Sequence, residues 1–400
     1  MPEKRYLVTP GPTPVPPEVL AATAAPMIHH RSPDFRGTLE RVTERLQQVF
    51  RTENEIVHLT SAGTGAMESV FQNLCSPGDP VLVVSQGFFG ERFAAQAEVY
   101  GCKLTHLRYA WGESPNPEEV GAQLEVMGGA KVVLLTHSDT STGVVSDVQS
   151  IAERISGSDA LVVVDAISSL AAVPLETDAW GLDVVITSSH KALMSPPGLG
   201  FVSVSETAFE ASRSATSPRY YFDWERARAA QEKGENPFSP AISLFLGEKG
   251  ENPFSPAISL FLGVDVALGM ILEDGLEAAF ERHVRLGRAA RAGVKAMGLE
   301  LFSPDEDRSA VVTAIKMPEE IDGGSIVLSM RERSGVTIIG GQGELRGKIV
   351  RFGHIGYIDV FDVTTALAAL ELAMAEAGAD IERSAAVTAA LEAYAEPVSV

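Results

Sequence analysis

Three short stretches of this 400-residue chain put reactive groups at the ends of apolar, strand-like runs. Lys191 lies in DVVITSSHKALMSPPGLGF, after one such run and before Pro-Pro-Gly. Lysines are rarely buried unless paired or used covalently. A lysine in this segment is therefore a candidate nucleophile, although taken alone it reads equally well as a surface residue. Asp165 closes the run LVVVD. The carboxyl ends of strands line the ligand crevice of open α/β sheets. An aspartate there either caps the following helix or holds a cationic ring nitrogen. The third stretch is TSAGTGAMES, beginning at Thr60. Met67, Val70, Phe71 and Leu74 follow at helical spacing, so a helix starts near Thr64. The free N–H groups and positive dipole end of a Gly-rich strand-to-helix turn favour a phosphate, though many such turns are only tight connections. Together the three supply an anion cradle, a partner for a protonated ring nitrogen and an amine able to form a Schiff base. That set is what pyridoxal 5′-phosphate requires.

Positioning these groups needs a sheet. Seven apolar runs read as buried strands: EIVHLT, PVLVVS, KLTHLRY, KVVLLTH, ALVVVDA, DVVITSS and GFVSVSE. Helix-length segments such as TGAMESVFQNLC and ERFAAQAEVYG separate most of them. Strands alternating with helices predict an α/β fold, a large mostly parallel sheet with helices on both faces. A smaller C-terminal α+β domain follows, with AVVTAIKM, a helix in SIVLSMRERSG, KIVRFGHIG and the amphipathic TALAALELAMAEAG. The long helical stretch beginning VDVALGMILEDG is expected to break near Asp274 and Gly275. The expected division is an extended, proline-rich arm over 1–16, a large domain over 17–275 and a small domain over 276–400.

Acidic residues (53) outnumber basic ones (32), giving a net charge of −21, which disfavours a nucleic-acid or anionic-membrane surface. The two cysteines, Cys75 and Cys102, form no CxxC and no disulfide framework. They fit a reducing, cytoplasmic interior without structural metal. No secretory signal or membrane span is expected, since the longest apolar stretch is interrupted by Asp265.

The order of these landmarks resembles the class V aminotransferases of fold type I, near the alanine–glyoxylate and serine–glyoxylate (serine–pyruvate) aminotransferases. The resemblance runs through Pro10-Gly11-Pro12, HHRSPDF, SAGTGAME, GFFGER, THSDTSTG, DAISSL, SSHKAL and GKIVRFGHIG, nearly the whole chain. It implies transamination between a small amino acid (alanine or serine) and a small 2-oxo acid (glyoxylate or pyruvate), in a homodimer with active sites at the interface. Aspartate- or phosphoserine-type transamination is the alternative, and a cysteine desulfurase-like lyase a more distant one. By resemblance Lys191 carries the cofactor and shuttles the proton, and Asp165 keeps the ring nitrogen protonated. Ala62, Gly63 and Thr64 hold the phosphate, Phe89 stacks on the ring and Thr140 bonds the phenolic oxygen. Ile167 and His190 join the cofactor contacts; at 190 most relatives of this kind carry glutamine. Arg351 clamps the substrate carboxylate, Gly11 lies on the substrate's other side, and His30 with Arg31 tunes the side-chain preference.

One feature has no place in such a fold. The unit EKGENPFSPAISLFLG occurs twice in tandem, at 232–247 and 248–263. Two copies of so short a unit cannot stack into a solenoid, so they read as a local insertion inside a single-copy site. The resemblance gives this region a segment reaching the partner's cofactor phosphate. Asn252 and Ser255 match it in the second copy, Asn236 and Ser239 in the first. The second copy runs directly into the following helix and is the one expected at the site.

Overall fold

The computed structural model describes residues 4–231, 256–303 and 310–398. The expected positions Asn236, Ser239, Asn252 and Ser255 lie outside the described residues. The end of the second copy is described: Ile258 opens the helix Ile258–Asp274, with Ile258 and Phe261 buried.

All seven apolar runs lie in one sheet, in the order Glu55–Leu59, Gly200–Val204, Val184–Ser188, Leu161–Asp165, Val132–Thr136, Pro80–Ser85, Lys103–Arg108. Gly200–Val204 is antiparallel to both its neighbours and the other pairings are parallel. Alternate residues of each strand feed opposite faces, the period-two geometry of a pleated strand. Leu82, Val133, Leu135, Val162, Val164 and Val185 pack in a cluster with Leu46, Val49 and Phe50 of the helix Pro33–Phe50. Val83, Leu134, Val163, Val184 and Ile186 pack in a second cluster with Met67, Val70 and Phe71 of the helix Gly63–Leu74. A strand covered on both faces is apolar at nearly every position, which is why most of these runs do not alternate in sequence; KLTHLRY, expected to be buried, is instead the half-exposed edge strand Lys103–Arg108, with a neighbour on one side only.

The helical stretch after the repeat divides at Gly275, whose φ of 86° ends Ile258–Asp274 and starts Leu276–Ala296. A three-stranded antiparallel sheet follows, with Ile349–Gly353 between Val312–Lys316 and Ile339–Gly340. It has its own core of Leu286, Val294, Ile315, Val350, Phe352 and Leu367, which also takes Val8 from the N-terminal arm. Tyr6 and Leu7 pair in parallel with Val336 and Thr337. The arm then crosses the end of Ile349–Gly353, where Gly353 N–H donates to Val8 O at 3.0 Å. That route carries Pro10 and Gly11 from the second core to the edge of the first. No helix among the described residues is long and apolar enough to cross a membrane.

Candidate active site

Asp165 is the last residue of Leu161–Asp165, opposite Thr136 in the neighbouring strand, so the sheet delivers its side chain at the carboxyl edge. Oδ1 accepts the Ile167 N–H at 2.9 Å, while Oδ2 takes no hydrogen bond among the described residues. Burial pushes its pKa up to about 6; the Ile167 N–H and the nearby Arg92 and Lys191 oppose the rise, and Asp139 adds to it. Lys191 follows the adjacent strand Val184–Ser188. Its amine is buried and donates to Pro10 O at 2.6 Å. Burial holds it down to about 8, with Arg351 and Arg92 lowering it further and Asp165 and Asp139 opposing. No carboxylate lies within ion-pair distance of the amine among the described residues. A buried lysine whose partner is a single carbonyl is poised as a nucleophile near neutral pH.

The arm fits closely around it. Thr13 Oγ1 donates to Lys191 O at 3.1 Å. Gly11 has φ 144°, and a Cβ there would stand 2.3 Å from Lys191 Nζ, so glycine is the residue that admits the amine.

The Gly-rich turn opens the helix Gly63–Leu74 behind Ala62, with no side-chain cap. A Cβ on Gly63 would come within 2.6 Å of Ile167 Cδ1 and 3.3 Å of Ser188 Oγ, so the turn, Ile167 and the strand leading to Lys191 close on one another. His190 Nδ1 lies 3.1 Å from Ser188 Oγ. Burial, then the Lys191 charge, press its pKa to about 4, so the ring is a neutral imidazole.

Two groups that the sequence reading did not single out complete the arrangement. Asp139 is fully enclosed and accepts from Phe89 N–H (3.0 Å), Gly90 N–H (3.4 Å), Ser141 N–H (2.9 Å) and Ser141 Oγ–H (2.5 Å). Burial raises its pKa, and the Ser141 hydroxyl and the three backbone N–H groups oppose the rise. The carboxyl group replaces the missing side-chain cap of Phe88–Val99, whose N-cap is Gly87; a Cβ on Gly87 would meet Asp139 Cγ at 2.6 Å. The second group is Arg92, on the same helix as Phe89. Its Nη1 donates to Thr64 Oγ1 at 2.7 Å, and its guanidinium stands 4.9 Å from the Phe89 ring centroid. Both lie inside quoted motifs, THSDTSTG and GFFGER; the available signal was a charged residue within segments otherwise expected to be buried.

Arg351 is buried on the central strand of the small sheet. Nε and Nη2 donate to Gly340 O at 3.0 and 2.8 Å, and Nη1 donates to Thr140 O at 2.9 Å. Of five N–H donors, one on each terminal nitrogen remains, the pair a carboxylate can bridge. Burial lowers its pKa to about 10, with Asp139 opposing, so it stays protonated at neutral pH. The bond to Thr140 O ties the small sheet to the loop that carries Asp139.

Lys191, Asp165, Gly11, Ala62, Gly63, Thr64, Ile167, His190, Phe89, Thr140 and Arg351 are thus linked by contacts or by close charge. His30 and Arg31 are not. His30 stacks on His29 at 4.4 Å, and Arg31 N–H lies 3.2 Å from His29 Nδ1. Neither hydrogen-bonds to Lys191, Asp165 or Arg351 among the described residues. No group of three or more His, Cys, Asp or Glu among the described residues is placed to hold a metal.

The family model "Aminotransferase class-V" matches residues 5–344. The chain is 38% identical to the soluble hydrogenase 42 kDa subunit of Anabaena cylindrica, over 98% of each chain. It is 32% identical to the serine–glyoxylate aminotransferase of Methylorubrum extorquens, over 97% of this chain and 96% of that one. The crystal structure of ureidoglycine–glyoxylate aminotransferase from Bacillus subtilis superposes with a TM-score of 0.89 at 29% identity, covering 99% of both chains.

Proposed function

Because the chain belongs to the class-V aminotransferases, we propose that it holds pyridoxal 5′-phosphate at Lys191 and moves an amino group from alanine or serine to glyoxylate or pyruvate. The observation that carries the reading is the Lys191 amine: buried, held near 8, and closed in by Gly11 beside the strand-end carboxylate of Asp165. The residues present fit the cofactor. Asp165 Oδ2 is unclaimed among the described residues, the Gly63 N-terminus has no side-chain cap, and glycine at position 11 keeps the arm's own side chain off the amine. When bound, the cofactor supplies an electron sink for the bond broken at the substrate's α-carbon.

The chain's own groups do the rest. Asp165 would hold the protonated ring nitrogen, its Oδ2 being the unclaimed oxygen among the described residues. The backbone N–H groups of Gly63 and Thr64, the Thr64 hydroxyl and His190 would hold the phosphate, and Ile167 would join the cofactor contacts. Asp139 fixes the helix that presents Phe89 to the ring face and the loop that carries Thr140. Arg351 would turn its two remaining N–H groups to the substrate carboxylate and so orient the α-carbon. Lys191, its pKa held down to about 8, would be the base for proton transfer near neutrality. A small substrate side chain is supported by Arg351 being the one arginine tied to both the Thr140 loop and the small sheet among the described residues. A homodimer in the cytoplasm is part of the same reading, resting on the family resemblance and on the cysteine usage. Asn252 and Ser255 are proposed to reach the partner's phosphate.

The test is borohydride reduction with peptide mapping and, on separate unreduced enzyme, half-reactions with alanine, serine and aspartate. The expected results are label on Lys191 and loss of the lysine-bound cofactor's absorbance with alanine or serine. Label elsewhere, or no donor that discharges the absorbance, refutes the reading.

A further inference from the structure

We infer that Arg92 is an additional anchor for the cofactor's phosphate, joining the backbone cradle at Gly63 and Thr64 to the helix that presents Phe89. The inference rests on the cofactor reading above and deepens it. Its first support is the hydrogen-bond arrangement. Arg92 Nη1 donates to Thr64 Oγ1 at 2.7 Å, and four residues on, Gln96 Nε2 donates to Thr64 O at 3.3 Å. Positions i and i+4 share one helix face, so the helix Phe88–Val99 holds Thr64 from the side opposite its own turn. A hydroxyl that accepts from a guanidinium has its own proton free to donate, and an anion at the uncapped end of Gly63–Leu74 is the acceptor in reach.

The second support is charge. Acidic residues exceed basic ones by 21, yet Arg92 has no carboxylate within ion-pair distance among the described residues. Its neighbour Glu91 is taken by Arg108 at 3.1 Å and by His106 at 3.4 Å. An arginine left unpaired in so acidic a chain is available to an anion from outside. The third is aim. The Arg92 guanidinium stands 5.5 Å from the Phe88 ring centroid and 4.9 Å from that of Phe89, and its charge reaches both Asp165 and Lys191. A half-enclosed guanidinium with one donor engaged and the others unclaimed among the described residues suits a phosphate better than a lysine would.

The experiment titrates the full-length, cofactor-stripped protein with pyridoxal 5′-phosphate and, separately, with pyridoxal, which lacks the phosphate. Attachment is read from absorbance and borohydride labelling. Arg92→Gln should weaken pyridoxal 5′-phosphate about ten- to hundredfold, the range for hydrogen bonds to a charged group. Pyridoxal should bind as in the wild type, and Arg92→Lys should fall between. Inorganic phosphate should compete with pyridoxal 5′-phosphate in the wild type and compete less in Arg92→Gln. Equal loss of both compounds would mean that Arg92 only supports Phe89, and no loss of either would mean that it does nothing for the cofactor; either overturns the proposal. Failure of both compounds to label Lys191 in the wild type instead overturns the cofactor reading, and this proposal with it.

Discussion

Replacing Lys191 by methionine should make the cofactor-free protein more stable at neutral pH while ending its chemistry. Burial holds the amine from 10.5 down to about 8, a gap worth roughly 3 kcal/mol. The folded pKa lies below the unfolded one, so between about 8 and 10.5 the unfolded chain binds more protons. Stability therefore climbs with pH across that window, and below it the whole penalty is present. Methionine fills a similar volume without charge. It also leaves Pro10 O without its donor, a loss of about 1 kcal/mol. Asp165 loses only the smallest of the influences on it, keeps the Ile167 N–H and the nearby Arg92 charge, and so adds little to the difference. The net expectation is a gain of roughly 2 kcal/mol near pH 7 that shrinks to nothing or reverses near pH 10.5. Urea unfolding of both stripped proteins at the two pH values measures it. A variant no more stable than wild type near neutrality, or two pH profiles that run parallel, would show that the amine carries no desolvation strain.

Three further outcomes follow from the same geometry. Asp139→Asn puts an amide N–H₂ against backbone donors and should cost roughly 2–4 kcal/mol in unfolding experiments; a change below about 0.5 kcal/mol would mean that the clamp on Phe88–Val99 is dispensable. Gly11→Ala drives a Cβ to 2.3 Å from Lys191 Nζ at a φ of 144°, so borohydride labelling of Lys191 should fall at least about tenfold while the protein still unfolds cooperatively; wild-type labelling would show that the arm yields. Arg351→Gln removes the pair of terminal donors left for a carboxylate and should raise KM for the amino acid and the 2-oxo acid together, by about tenfold or more; an unchanged KM for both would place carboxylate recognition elsewhere.

The sequence by itself determined six of the seven strands, because a largely buried strand needs apolar residues at nearly every position; the edge strand Lys103–Arg108 was legible as a strand, but its half-exposed setting was not. It also determined which residues stand at the strand ends, and hence Asp165, Lys191 and the Gly63 turn, since the edge of a parallel sheet follows from where each run stops. Only the tertiary structure decided the partners. That Lys191 meets Pro10, that Asp139 caps a helix 50 residues upstream, and that Arg92 reaches Thr64 all depend on contacts between segments distant along the chain. A hydrogen bond of that kind leaves no period in the sequence. A charged residue inside a buried stretch announces that it has a partner; packing alone says which.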